Sequence, residues 1–447
     1  MANIKEITYD FLNDELAVYN EKIAHHITRH ALSHTSIDDF SKTLDNASKI
    51  DYSFNVEVKT MPVTNQKASG RCWIFAATNV LREIIAKKLN LDNFELSQSY
   101  IGMYDKLEKI NFELEAIIDL KDKDADDRTL TYVLLNTISD GGQWDMFIDI
   151  VTKYGIVPKN VFPETYTSSN TRGLNHLVSV TLEKFASDIK ELDKKGGMEL
   201  IRAEKDKLFK KLYHLIISTY GIAPKTFDFE YVDANKVYHK EEGFTPLSFF
   251  EKYVKSEALS YVSLINAPTK DKPFNHTFTV EYLGNVVGGK GVKHLNLEME
   301  RIKELIINQL KDGNIVWFGS DVSFYRDRAS YAWDDRSFDY QTPFGISYYA
   351  DKAKALDYHI SQMNHAMCIT GVCLDNNGKA LKWKIENSWG DDIAKKGYFA
   401  MSDTWFDEYV YQAVIDKKYL SYEELDAYEN SKPISLKPWD PMGSLAD

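Results

Sequence analysis

Gln66-Lys67-Ala68-Ser69-Gly70-Arg71-Cys72-Trp73 is the stretch on which the reading of this chain turns. Residues 65–70 are polar and loop-like. From Cys72 the pattern changes. Ile74, Ala77, Leu81, Ile84 and Leu89 recur at helical spacing with no glycine or proline between them, which predicts a helix over 72–89. Ser69 or Gly70 suits the helix entry. Cys72 thus stands at a helix N-terminus, where unpaired N–H groups and the helix dipole favour an anion. A thiolate there has a lowered pKa and is the reactive form of cysteine. On this stretch alone an inert buried cysteine is an equal reading.

Two later segments break the tie. Asn364-His365-Ala366-Met367 leads into an apolar run from Cys368 to Val372, which reads as a strand. Lys384-Ile385-Glu386-Asn387-Ser388-Trp389-Gly390 ends another, in which Leu381, Trp383, Ile385 and Asn387 alternate with Lys382, Lys384, Glu386 and Ser388. That period of two puts Asn387 on the apolar side, where an amide needs a specific partner. Taken singly, His365 reads as a satisfied core histidine and Asn387 as a turn residue. Taken together they supply what a cysteine nucleophile requires. His365 is the base beside the thiol, and Asn387 holds the imidazole ring. Gln66, with the Cys72 backbone N–H, is a donor for the oxyanion. Trp389 is expected to cover the His365–Asn387 hydrogen bond.

These residues resemble the papain-like cysteine peptidases in order and type, and Asn387-Ser388-Trp389-Gly390 is a specific tag of that family. Asp140-Gly141-Gly142-Gln143-Trp144 is similar to the family's glycine pair beside the substrate backbone, where the missing side chains let a peptide approach. The resemblance implies substrate contacts at Gly141, Gly142, Asn364 and Asp447. There are departures from papain. Ser69 replaces a cysteine and Arg71 a small residue, and 293 residues separate Cys72 from His365. The lost cysteine fits a reducing compartment, and the added length implies an insertion.

That combination is similar to the bleomycin hydrolase and bacterial aminopeptidase C branch. Pro62-Val63-Thr64-Asn65-Gln66, Lys153 to Lys159, Asn266 to Thr269, Leu283 to Gly289 and Pro438 to Gly443 carry this likeness along essentially the whole chain. The implied fold is α+β, a papain-like two-lobe fold with a helical lobe, an antiparallel β lobe, a large helical insertion and N- and C-terminal arms. The expected division is an N-terminal helical arm over 1–60, a helical lobe with the nucleophile helix over 61–180, and a helical insertion and oligomerisation lobe over 181–312. A β lobe carrying His365 and Asn387 over 313–430 and a tail entering the cleft over 431–447 complete it. Ile4, Ile7, Phe11, Ile23 and Ile27 give the arm helical spacing, and Gly196-Gly197 divides two helical stripes within 180–220.

The tail Lys437-Pro438-Trp439-Asp440-Pro441-Met442-Gly443-Ser444-Leu445-Ala446-Asp447 decides between relatives. Two prolines stiffen it and Trp439 suits an apolar anchor. In the family such a tail blocks the non-primed side of the cleft, and its carboxylate receives the substrate's free α-amino group. The implied activity is a cysteine aminopeptidase acting on peptides with a free N-terminus through a thioester acyl-enzyme, extending to bleomycin-hydrolase-like activity. The alternatives are an endopeptidase of the same fold and an oligomeric protein that binds nucleic acid or peptides. The family also implies a cytoplasmic homohexamer with no propeptide and no cofactor.

Composition agrees. The chain has 447 residues, enough for several lobes around a large core. A net charge of −13 repels phosphate backbones and argues against nucleic acid. Three cysteines are too few for a disulfide framework, and Cys368 and Cys373 have no second pair with which to hold zinc. His26, His30 and His34 are spaced along one helix face without acidic partners, which favours a packed or solvated face over a metal. The Lys205–Lys211 run reads as a solvated helix face. No apolar N-terminal segment or 18-residue apolar run is present, so neither a signal peptide nor a membrane helix is expected.

Overall fold

The computed structural model describes residues 5–43, 50–347 and 349–446. Its organising element is a mixed 12-stranded sheet. The centre is antiparallel: Tyr261–Ile265, Val410–Asp416, Val316–Ser320, His365–Leu374, Ala380–Glu386 and Tyr398–Ser402 lie side by side in that order. Side chains alternate between the faces, as the pleat requires. Trp317, Ala366 and Cys368 join a core shared with the helices Cys72–Leu89, Gln98–Asp119 and Trp144–Tyr154. Phe318, Met367 and Ile369 point the other way, into a second core with the Met299–Lys311 helix, Trp383 and Trp405. The α+β class follows from this layering.

The helix predicted over 72–89 is present with those bounds and is closed by Asn90 in the left-handed conformation. The next long helix, Gln98–Asp119, starts where the Ser97 hydroxyl accepts the Tyr100 N–H. Arg172–Tyr220 is helical on both sides of a kink at Gly197, whose φ of 61° and ψ of −156° lie outside the helical region. Glycine takes that conformation without a Cβ penalty.

Several expectations need correction. The insertion over 181–312 is not helical throughout. Phe227–Val232 and Tyr238–Phe244 form a hairpin, and Tyr261–Ile265, Thr277–Val280 and His294–Asn296 belong to the main sheet. Tyr261–Ile265 is buried along its whole length, so it lacks the alternation that marks a half-exposed strand. Leu381 is 52% exposed, and Glu386 is buried on Arg82 at 2.9 Å. The apolar side of Ala380–Glu386 therefore begins at Trp383, and Glu386 is a buried ion-pair partner.

The arm consists of the helices Tyr9–Asn20, Ile23–Leu32 and Ile37–Ser41, and the first two bury no residue. His34 falls beyond the second helix, so the three histidines do not share one helix face. Ile4 lies outside the described residues. In the lysine run, Lys205 joins Arg202 on Glu115 and Lys207 pairs with Glu204. Among the described residues no helix is long and apolar enough to cross a membrane, and no three His, Cys, Asp or Glu side chains gather to hold a metal.

Candidate active site

Cys72 is the first residue of its helix, and Arg71 caps it without a side-chain hydrogen bond. The preceding loop is held by short contacts. Ser69, standing where papain has a cysteine, donates its hydroxyl to the Gln66 carbonyl at 2.7 Å and accepts from Arg71 Nε at 3.1 Å. The Arg71 guanidinium makes two bonds to the Glu164 carboxylate, at 3.2 and 2.9 Å. Polar contacts thus fix the loop without a disulfide. Asp140 adds a second anchor. Its carboxylate accepts from the Gly70 N–H at 2.9 Å, from Lys106 at 2.6 Å and from Thr171. Burial would raise the Asp140 pKa, but Lys106 and these donors hold it well below the usual carboxylate range.

His365 opens its strand, and the next residue, Ala366, points its N–H at Cys72 Sγ from 3.5 Å. Strand pairing therefore brings the histidine to the helix N-terminus. His365 Nε2 lies 2.9 Å from Asn387 Oδ1, and the Ser388 N–H donates to the same oxygen at 2.8 Å. An oxygen that takes both bonds is an acceptor, so Nε2 carries the proton and Nδ1 is the ring's other nitrogen. The imidazole stacks on Trp389 with centroids 5.0 Å apart. Trp389 is held in turn by the edge of Phe399 and by the Arg326 guanidinium, 4.4 Å from its ring centroid.

The Gln66 amide is pinned at both ends. Nε2 donates to the Ser69 carbonyl at 2.6 Å, and Oε1 accepts from the Ser388 hydroxyl at 2.6 Å. Backbone bonds Gln66 N–H to Ser388 O and Gly390 N–H to Thr64 O join the Gln66 loop to the Asn387 loop. Gly390 has φ +92°, and a Cβ there would meet Asn65 Nδ2 at 2.5 Å. Ser388 thus orients both Gln66 and Asn387, a role its sequence position does not announce.

The tail reaches this cleft. Its last described turn, Pro441–Ala446, is buried except at Ala446. The Gly142 N–H donates to the Leu445 carbonyl at 3.0 Å, and the Ser139 hydroxyl donates to the Ala446 carbonyl. A Cβ on Gly141 would lie 2.4 Å from the Leu445 oxygen, and one on Gly142 would lie 2.5 Å from the Trp73 ring. The glycine pair is therefore the surface on which the tail lies. Trp439 anchors it under the Arg128 guanidinium at 3.8 Å. Asp447 lies outside the described residues. The Asn364 side chain is spent on a loop: Nδ2 donates to Asp321 Oδ1 and Ser323 Oγ, each at 2.7 Å, and Oδ1 accepts the Val322 N–H at 3.0 Å. These bonds use both hydrogens of its Nδ2.

The electrostatics differ from the expectation of a lowered thiol pKa. Burial pushes Cys72 up to about 11, against the N–H groups of Ala366 and Trp73. Burial also pulls His365 down to about 4, helped by the Arg326 charge and opposed by the bond to Asn387. Each group alone is thus held neutral. Moving the thiol proton to the imidazole creates two opposite charges side by side, so their desolvation is partly offset by their attraction.

The Peptidase C1-like family model matches residues 6–443. Aminopeptidase C of Lactobacillus delbrueckii subsp. lactis is 46% identical over 445 residues, 99% of each chain. Bleomycin hydrolase of Mus musculus is 40% identical over 394 residues, 86% of each chain. The crystal structure of PepW from Lactobacillus rhamnosis HN001 is 43% identical, covers 99% of both chains and superposes with a TM-score of 0.95. With a cysteine at a helix N-terminus, a histidine held by an asparagine and this likeness along its length, the chain belongs to the Peptidase C1-like family and is a papain-like cysteine peptidase.

Proposed function

We propose that the chain is a cysteine aminopeptidase with Cys72 as nucleophile, His365 as general base and Asn387 as the residue that orients it. Cys72 Sγ gives its proton to His365 and attacks the carbonyl carbon of the first peptide bond. The oxyanion takes the Cys72 backbone N–H, which no helical carbonyl occupies, and the second hydrogen of Gln66 Nε2. The imidazolium returns the proton to the leaving amine, and a thioester remains on Cys72. Water, deprotonated by His365, then releases the amino acid and the thiol. Trp389 keeps bulk water from the His365–Asn387 bond.

The carrying observation for exopeptidase action is the bond from the Gly142 N–H to the Leu445 carbonyl. That donor faces the strip where an extended substrate would continue toward its N-terminus, and the tail already uses it. Only the first residue or first few residues of a substrate fit on the acyl side. Asp447 is the expected partner of the free α-amino group. Aminopeptidase C relatives at 46% and 44% identity support the same activity, and bleomycin hydrolase at 40% supports the related amide cleavage. An open cleft, which an endopeptidase needs, is not what the tail leaves.

A cytoplasmic homohexamer is the assembly we propose. Its support is the arm: Phe11, Ile23 and Ile27 are exposed on helices that bury nothing within the chain, and Ile7, just before the first helix, is exposed too, a surface that another copy could cover. Cys72→Ala tests the chemistry. It should abolish hydrolysis of aminoacyl amides while circular dichroism and the melting curve stay close to wild type. Turnover persisting in a clean preparation would refute the role of Cys72.

A further inference from the structure

Arg326 is an unusual cation for so acidic a protein. Among the described residues its guanidinium has no carboxylate within ion-pair distance, although acidic residues outnumber basic ones by 67 to 54. Its Nε is buried with no hydrogen-bond partner. Nearby carboxylates are committed elsewhere. Asp327 holds Lys42 at 2.6 Å, Asp334 holds Arg336 at 2.9 Å, and Asp321 accepts from Ser361 and Asn364. Arg328, close along the chain, adds like charge. A half-buried guanidinium without an anion is costly and calls for one.

Its position indicates which anion. Arg326 lies on Trp389, and Trp389 stacks on His365. The tail fills the acyl side of the cleft at Gly141 and Gly142, so the leaving group departs on the side of His365 and Trp389. In a dipeptide the leaving amine that His365 protonates is one Cα away from a free carboxylate, a span of a few ångströms. The mounting is rigid. Arg326 and Asp327 pair with Trp333 and Ala332 at the sheet edge, and the preceding Tyr325 has φ +50°, a costly conformation for a bulky residue.

We propose that Arg326 is a specificity-determining residue that receives the free α-carboxylate of the leaving amino acid, so that dipeptides are favoured over amidated substrates of the same sequence. The planar fork of the guanidinium matches a carboxylate in a way that a point charge does not. Binding would also neutralise the charge that disfavours an imidazolium at His365, so the gain appears in kcat as well as in KM. This inference rests on the peptidase reading of Cys72 and His365.

The test compares alanyl-alanine with alanyl-alanine amide in the full-length enzyme and in Arg326→Gln and Arg326→Lys, as ratios of kcat/KM. A charge-assisted bond predicts a wild-type preference for the free acid of about tenfold or more. The ratio should fall toward one in Arg326→Gln and take an intermediate value in Arg326→Lys. A wild-type ratio near one, or a ratio that survives Arg326→Gln, would overturn the proposal. Hydrolysis of neither substrate would overturn the peptidase reading and this inference with it.

Discussion

Asn387 accepts from His365 Nε2 at 2.9 Å with its side-chain oxygen, while its Nδ2 is buried with no partner. A buried, unsatisfied amide costs stability, so this residue is kept for what it does to the ring. Asn387→Ala should therefore lower kcat by about two orders of magnitude, the range for losing oriented acid–base catalysis. Its melting temperature should fall only modestly, because the His365 Nε2–H and the Ser388 N–H lose their shared acceptor while an unsatisfied Nδ2 is removed. A fall in stability that parallels the fall in rate would assign Asn387 a structural role.

Ser388 makes a finer prediction. Its hydroxyl fixes Gln66 Oε1 at 2.6 Å, which sets the direction of the amide donor. Ser388→Ala should reduce kcat by about tenfold with little change in KM, because the oxyanion exists only in the transition state. Gln66→Ala should cost more, and combining the two should add almost nothing to Gln66→Ala. Independent, additive losses in that double-mutant cycle would contradict the proposed relay.

Arg71 is 2% exposed and relies on Glu164 for its counter-charge. Glu164→Ala should destabilise the fold by about 3 kcal/mol, because it leaves a buried guanidinium unpaired. Denaturant unfolding measures this. Since Arg71 also caps the Cys72 helix, kcat should fall in the same variant under conditions where it remains folded.

His294 gives a pH dependence away from the cleft. It is fully buried, with Nδ1 2.7 Å from Ser263 Oγ and Nε2 without a partner, and burial pulls its pKa from 6.5 to about 4. Between those values the unfolded chain binds the proton and the folded chain does not, so stability rises with pH. The contribution is complete above 6.5 and is lost as pH falls toward 4, with a magnitude of order 3 kcal/mol. Asp145, raised to about 6 by burial, opposes it. The difference between wild type and His294→Gln, measured by unfolding at pH 5 and pH 7, isolates the histidine. It should be smaller at pH 5, and an equal difference at both would refute the assignment.

What was legible in the sequence was local or carried by motifs. The Cys72 helix shows because its apolar residues keep one period from 74 to 89, and the kink at Gly197 shows because two glycines interrupt another. Gln66, His365, Asn387 and Trp389 are recognisable as a set although 321 residues separate Gln66 from Asn387. Pairwise tertiary effects were not legible. Tyr261–Ile265 is buried on both faces and offers no alternation. Glu386 occupies a polar register position yet is buried, because Arg82 from the Cys72 helix meets it there. The burial that holds Cys72 and His365 neutral is assembled from segments far apart in the chain, which no local pattern encodes. Arg326 reaches Trp389 through strand pairing at the sheet edge, 63 positions away in sequence.

The central claim is that the tail converts a cysteine peptidase into an aminopeptidase by occupying Gly141 and Gly142. The direct test removes Ser444 to Asp447 and assays both proteins on one peptide with its N-terminus free and with it blocked. The full-length enzyme should cleave only the free-amine peptide, and the truncated enzyme should gain cleavage of the blocked one. Equal cleavage of the blocked peptide by both proteins would contradict the account, leaving the chemistry at Cys72 in place and the tail without its role as a ruler.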